Sequence, residues 1–377
     1  MNTLTITGTM TTLTPFHMAH NGVAGELDED RGGLIRQVRS GTAKFPCTLT
    51  YKVPMPLLEG RKVGDSESEI HTAAVPCLPA TALRGKLRRH AADIIKNHFV
   101  SSQQRMTRKA YYVLQCGAFA GNAIGRAASP AHIETARTHL FAGLFGGGPA
   151  LFRSSLRTND SYVHCTESHA LGLQPMIAQP PKLDAYRTTF AHPFIRRDDM
   201  LDFFDPIAPR VIEDYEETFK AWQSIILSNS EERAGQRASK GKPAPADAPT
   251  VSASEAKKLA VKGRQAVEAV LPGLPFGFRL DVTGTDAQCG LVIQAIGNMF
   301  EDNGFGGMVR NGYGRFQTEL FVRVHGSDET RPLLNNKSAS GVTFELAARP
   351  YLDALAQELG TLTATSFDQV YLLDDAA

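Results

Sequence analysis

Between residues 79 and 112 the chain gathers the side chains best suited to holding a phosphate backbone. PATALRGKLRRHAADIIKNHFVSSQQRMTRKAYY carries Arg84, Lys86, Arg88, Arg89, Lys96, Arg105, Arg108 and Lys109 against a single acid, Asp93, with aromatic residues among them. Concentrated positive charge beside rings is the footprint of a polyanion site. A second stretch, DNGFGGMVRNGYGRF at 302–316, sets Gly304, Gly306, Gly307, Gly312 and Gly314 around Arg310 and Arg315. Glycine allows tight turns and close approach of backbone amides to phosphate, and arginine adds direct ionic contacts. The stretch is not a nucleotide-hydrolysing loop, because nothing matches G-K-[ST] and it precedes a strand instead of opening a helix. GLFGGG at 143–148 lacks the Lys-Ser/Thr as well. A plain glycine-rich hairpin is the alternative reading of 302–316.

Other chemistry is less well provided for. His164, Cys165 and His169 lie close together and His17 and His20 are three apart, but neither group has the paired spacing of a structural zinc site. Asp198, Asp199, Asp202 and Asp205 read more simply as a solvated arm neutralising Arg196 and Arg197 than as a divalent-ion cluster. No G-x-S-x-G elbow is present, and the five cysteines (47, 77, 116, 165, 289) have no recognisable catalytic context. Asp28, Glu29 and Asp30 form an acidic turn. Such acids beside RNA promote attack by a 2′-hydroxyl only with an oriented base or metal. No metal or cofactor is expected.

The elements that must position these groups are legible in part. Leu4, Ile6 and Met10 between threonines predict a first strand over 3–14, with Gly8 at a bulge or close approach. NGVAGELDEDRGG predicts an exposed loop, and KFPCTLTYKVPMPLL a short strand and turn. Leu83, Leu87, Ala91 and Ile94 make one apolar stripe, predicting a helix over 81–98 with Thr81 as its cap and the cations facing outward or snorkelling from its edges. HIETARTHLFAGLFGGG predicts a helix stopped by glycine, 184–209 an extended arm, and 212–227 a helix. The segment 231–266 has no aromatic residue and is rich in Ala, Lys, Pro and Ser, predicting a flexible loop. Beyond it, FGFRLDVTG and GRFQTELFVRV predict strands flanking a helix at CGLVIQAIGNMFED. SGVTFELAA and SFDQVYLLD predict further strands around a helix at 350–359. The order resembles a βαββαβ sandwich with large insertions.

The whole chain sets bounds. Its 377 residues with 42% hydrophobic content support a sizeable core, and forty basic against thirty-nine acidic residues leave +1. With no global field, a polyanion must be held by a local surface. An odd number of scattered cysteines argues against a disulfide framework. The opening MNTLTITGTMTTLT lacks a basic stretch followed by an apolar run, and no window approaches a membrane span, so a cytoplasmic protein without membrane contact is expected.

TITGTMTTLTPFHMA, LPATALRGKLRRHAADII, GLFGG and GFGGMVRNGYGRF occur here in the order in which similar segments occur in the RAMP superfamily of CRISPR-associated proteins. The chain most closely resembles the backbone subunit of type IV CRISPR effector complexes. The resemblance, over residues 5–316, implies an α+β fold with a modified RRM-like, ferredoxin-like core and thumb- and finger-like insertions. It implies a single RAMP domain over 1–377, with the core at about 1–14, 79–112 and 270–377 and insertions at about 15–78 and 113–269. Copies would stack head to tail along one crRNA beside other effector subunits, leaving guide bases to pair with a target nucleic acid. Arg84, Lys86, Arg88 and Arg89 would then meet guide phosphates, with Lys96, Arg105, Arg108 and Lys109 on the same segment. Gly306, Gly307, Gly312, Arg310 and Arg315 would border the same groove.

Three functions compete. A non-catalytic guide-RNA scaffold predicts RNA binding whose salt dependence falls when Arg88 or Arg89 is neutralised. A type III-like endoribonuclease predicts metal-dependent target cleavage lost in D28N or D30N. An RNA-processing enzyme requires a general acid or base, for which His90 or His98 would serve. The scaffold is preferred because no assembled catalytic site is visible.

Overall fold

The computed structural model describes residues 1–28, 34–38, 46–56, 72–117, 129–147, 152–196, 213–217, 220, 263–302, 304–338 and 341–371. The fold is mixed α/β with several sheets, and the chain divides into two compact units. One comprises Met1–Val23, Thr48–Ala191 and Glu268–Ala377; the other comprises Ala24–Cys47 and His192–Val267. In chain order the strands before the first helix are β1 (Asn2–Thr12), β2 (Ala19–Asp28), β3 (Leu34–Val38), β4 (Pro46–Thr50), β5 (Lys52–Pro56) and β6 (Thr72–Leu78). Helices α1 (Ala80–Ser101), α2 (Arg108–Cys116), α3 (Pro130–Thr138) and α4 (Ala142–Phe145) follow, then β7 (Leu156–Thr158), β8 (Ser161–Tyr162) and α5 (Thr166–Ala170). After β9 (Thr189–Arg196) and β10 (Gly263–Val270) come β11 (Pro275–Gly284), α6 (Asp286–Asp302), β12 (Phe316–Val324), β13 (Thr330–Ser338), β14 (Gly341–Phe344), α7 (Arg349–Thr361) and α8 (Ala364–Tyr371).

The larger unit is built on a sheet ordered β14-β13-β12-β1-β11-β7. β1 runs antiparallel to both neighbours, with Ile6 opposite Leu280 on one side and Val322 on the other. Side chains alternate across a strand, so Leu4, Ile6 and Met10 are fully buried while the threonines at 3, 5, 7, 9 and 11 point the other way. The buried row shares one core with α1 and α6. Gly8 is required here: a Cβ would lie 2.1 Å from the Glu319 carbonyl oxygen of β12.

On α1 the buried residues Leu83, Leu87, Ala91, Ile95 and Phe99 recur every fourth position. Each fully buried large aliphatic side chain contributes about 1.5–3 kcal/mol. Ile95, and not Ile94, completes the stripe. The helix is not capped by Thr81; Pro79 occupies the cap position, and the Ala80 N–H donates to Asp160 Oδ1 at 2.7 Å from the turn after β7.

Other expectations are corrected. The acidic loop begins as strand: β2 pairs antiparallel with β3, Ala24 opposite Val38 and Asp28 opposite Leu34. SFDQVYLLD is helical as far as Tyr371, because Ala364, Phe367, Val370 and Tyr371 form a helical stripe that is buried. Residues 263–266 belong to β10 instead of a loop, while 231–262 lie outside the described residues. The helix expected before the glycine run is broken at His139, whose Nδ1 accepts from the Phe141 and Ala142 N–H groups and so starts a second, short helix. In the arm, a 3₁₀ turn at Ala185–Thr188 leads into β9. Of the helix expected over 212–227, residues 215–217 and 220 are described and helical.

Candidate nucleic-acid interface

The cations of α1 do not form one outward row. Arg88 turns inward: its Nη2 donates to the Val113 carbonyl of α2 at 2.5 Å, and its guanidinium lies over the Phe141 and Phe145 rings at 5.0 and 5.9 Å. Its Nε is buried without a partner, and burial pulls its pKa down. Arg84 donates to the Phe145 carbonyl at 2.8 Å. Lys86 bonds Asp302 Oδ2 at 2.6 Å and the Gly304 carbonyl, with its ammonium 4.9 Å from the centre of the Phe305 ring. The Lys86 hydrogen bond holds the Asp302 carboxyl below the usual carboxylate range. Lys96 pairs with Asp93 at 2.5 Å. The reason is geometric. α1 packs against both α6 and α2, so its sides are not all solvent; Arg84 and Lys86 reach the carbonyls of Phe145 and Gly304, while Arg88 adds a second donor to the Val113 carbonyl, which already accepts from the Gly117 N–H. Arg89 is exposed and, among the described residues, makes no ion pair.

Lys86 thereby joins the two stretches that the sequence singled out, since Asp302 and Gly304 open the glycine-rich loop. That loop is not a hairpin. It makes a 3₁₀ turn at Val309–Asn311, and its anchor is a cluster in which Phe305 meets Phe316 at 5.2 Å and Phe16 meets Phe316 at 5.3 Å. The amides expected to face phosphate have partners within the chain: Gly307 N–H donates to the His17 carbonyl at 2.7 Å and Gly312 N–H to that of Val309 at 2.9 Å. Gly306, at φ +77°, is packed so that a Cβ would lie 2.1 Å from the His17 carbonyl oxygen. Gly312, at φ +82°, has open space. These glycines shape the loop against residues 15–17. Arg310 and Arg315 stay exposed on it.

α2 presents cations and rings together. Thr107 caps it by accepting from Ala110 N–H, leaving Arg108 at the first helical position with Arg105 exposed just before it. One turn on, Tyr111 and Tyr112 are 48% and 44% exposed. The Lys109 side chain lies outside the described residues. On the buried side Ala110, Val113 and Leu114 fasten the helix to the core.

The remaining candidates have structural partners or fall outside the description. His164 is buried, with Nδ1 bonded to Gln174 Oε1 at 2.9 Å and Nε2 to the Gln179 carbonyl at 2.8 Å; Cys165 is buried beside it, and the His169 ring packs edge-on against His164. His17 Nδ1 bonds the Glu268 carbonyl at 2.7 Å, and burial lowers its pKa. His20 stacks on Tyr51. His90 is lowered by burial and then by Lys86, with Asp302 at 3.8 Å. His98 stands at the end of α1, its ring against Phe99. Asp28 ends β2; its side chain, Asp30, Asp198, Asp199, Asp202 and Asp205 lie outside the described residues. Among the described residues no group of three or more His, Cys, Asp or Glu could hold a metal, and no helix is long and apolar enough to cross a membrane.

Sequence reasoning missed a second set of cations. Arg157 on β7, Arg279 on β11, Arg323 on β12 and Arg153 just before β7 are all exposed on the face of the main sheet that carries the threonines. The signal was strand parity. Arg279 stands opposite Thr7, while Arg157 stands opposite Asp281 and Arg323 opposite Thr5.

No protein-family model matches the chain, and no curated protein matches it. Among solved structures it shows weak similarity to a chain of a "Type IV-B CRISPR Complex", at 10% identity and a TM-score of 0.41, over 87% of this chain and 92% of that one.

Proposed function

We propose that this chain is a non-catalytic guide-RNA-binding backbone subunit of a type IV-like CRISPR ribonucleoprotein, lining a crRNA in several copies and presenting it for target pairing. The observation that carries the reading is the outward face of α2, where Arg105 and Arg108 lie beside exposed Tyr111 and Tyr112. Arginine neutralises phosphate while tyrosine faces accept bases of any sequence, the combination a scaffold for arbitrary guides requires. Arg89, Arg310 and Arg315 extend the cationic surface on α1 and the glycine-rich loop. Arg84, Lys86 and Arg88 serve the same surface indirectly, by holding its elements together, while Lys96 is paired with Asp93 within α1. The strand order β12-β1-β11-β7, with α1 between β1 and β7 in the chain (after β2–β6) and α6 between β11 and β12, is compatible with a split βαβ core and supports the RAMP-like reading.

The test is binding of labelled single-stranded RNA to the full chain across a salt series. Tyr111→Ala with Arg108→Ala is expected to weaken binding by about 10-fold or more, since stacking is worth ~1–3 kcal/mol per base. The salt slope is expected to fall by about 0.7 for the one phosphate contact removed. Absence of RNA binding by the parent chain overturns the proposal, as does cleavage of a paired target RNA in magnesium that D28N abolishes.

A further inference from the structure

We infer that the open face of the main sheet is a second seat for single-stranded RNA, separate from the α2 surface and reading phosphate and sugar instead of bases. The inference rests on the guide-binding reading above. Two grooves cover this face, and they share Thr5, Arg279 and Arg323, so they meet in one trough. One of them is lined by Arg153, Arg157, Arg279, Arg323 and His325 against a single carboxylate, Asp281. That carboxylate is engaged locally: Thr5 Oγ1 donates to Asp281 Oδ1 at 2.7 Å, and Arg279 Nε lies 3.5 Å from Oδ2. Among the described residues Arg153, Arg157 and Arg323 make neither an ion pair nor a side-chain hydrogen bond.

Like charges on one face repel, and a chain with a net charge of only +1 has enough acids to neutralise them. In register across the sheet run Arg323, Thr5, Asp281 and Arg157, which spans three strand spacings, roughly 14 Å. Thr7 and the Thr3–Thr283 hydroxyl pair add groups that bond phosphate and ribose oxygens, while the Thr5 hydroxyl, donating to Asp281, can accept from a ribose hydroxyl. A cationic trough floored by hydroxyls fits a sugar-phosphate strand. The rings that line it, Tyr162 and Phe152, are only partly exposed, unlike the tyrosines of α2, so its binding is expected to depend little on base composition.

The experiment uses the full chain, labelled oligouridylate and a mixed-sequence RNA, with Arg279→Glu/Arg323→Glu and Arg108→Glu/Tyr111→Ala compared in parallel. Both sheet arginines are exposed and the Arg279–Asp281 pair is a surface one, worth about 0–1 kcal/mol, so the thermal unfolding midpoint is expected to fall by only a few degrees. The sheet variant is expected to weaken both RNAs equally, by about tenfold or more, with the salt slope falling by about 1.4 for two lost contacts. If the parent binds and only the α2 variant loses affinity, the sheet assignment is overturned and the guide-binding reading stands. If the parent binds no RNA, the guide-binding reading falls and this one with it.

Discussion

Replacing Arg88 with alanine distinguishes a phosphate contact from an internal brace, because the two roles move different measurements. The guanidinium donates to the Val113 carbonyl at 2.5 Å and lies against Phe141 and Phe145. A hydrogen bond from a charged donor contributes roughly 1.5–3 kcal/mol, and a partly desolvated cation over aromatic faces about 1–2 kcal/mol. Against these stands the cost of burying a cation with an unpartnered Nε, which alanine removes. Alanine also removes one of the two donors on the Val113 carbonyl, which keeps its bond from the Gly117 N–H, and leaves a void between α1, α2 and the 141–145 turn. The net expectation is a loss of about 3 kcal/mol in urea unfolding, with the salt slope of RNA binding unchanged. Arg88→Met fills the void without the hydrogen bond and is expected to lose less. Arg89→Ala is expected to do the reverse of Arg88→Ala, leaving stability alone and lowering the slope by about 0.7. An Arg88→Ala chain that unfolds at the parent midpoint but loses salt dependence would refute the internal placement.

The pH dependence of stability follows from His139, which burial holds at a pKa down to about 4. The unfolded chain takes up a proton near its ordinary 6.5, so stability is full above pH 6.5, falls as pH drops toward 4, and loses about 3 kcal/mol in total. His139→Asn is expected to flatten that range in urea titrations at successive pH values, and an unchanged slope rejects it. In the glycine-rich loop, Gly312→Ala meets open space and carries only the cost of its left-handed backbone, about 1 kcal/mol. Gly306→Ala adds a Cβ 2.1 Å from the His17 carbonyl oxygen and is expected to cost several times more in thermal unfolding. Equal effects at the two positions would mean that the loop does not pack on residues 15–17.

Strands and helices with a clean period were legible. β1 alternates threonine with Leu4, Ile6 and Met10, and α1 repeats its apolar residues every fourth position, so both are found from the sequence close to their true ends. β13 was not anticipated, because Leu333 and Leu334 are adjacent and TRPLLNNKS shows no alternation; pairing with β12 makes it a strand. β2 was hidden by glycine and acid, and it is strand through backbone pairing to β3. At its other end the chain misled for a different reason. In SFDQVYLLD a strand and a helix place Phe367 and Tyr371 on one face equally well, and packing of Phe367 on Phe99 and His139 selects the helix.

The distribution of charge explains why the candidate site was only half visible. Sequence displays cations that are neighbours along the chain, and on a helix such neighbours point in different directions. Of the α1 cations, Arg84, Lys86 and Arg88 turn to carbonyls of three other segments, so a dense run of charge becomes scaffolding. The sheet arginines show the converse. Arg157, Arg279 and Arg323 are isolated in sequence, each the sole cation on its short stretch of strand, and they become neighbours through antiparallel register. That register must be held tightly, since a slip of one residue would carry the arginines into the core and the leucines out. Gly8 holds it: opposite Leu320, it lies so close to the β12 backbone that a Cβ would meet the Glu319 carbonyl oxygen, and the contact fixes Thr5 against Arg323 three residues away. Charge patterning by sequence distance therefore overstates the α1 surface and misses the sheet, whereas parity along each strand, combined with one pinned register, recovers it.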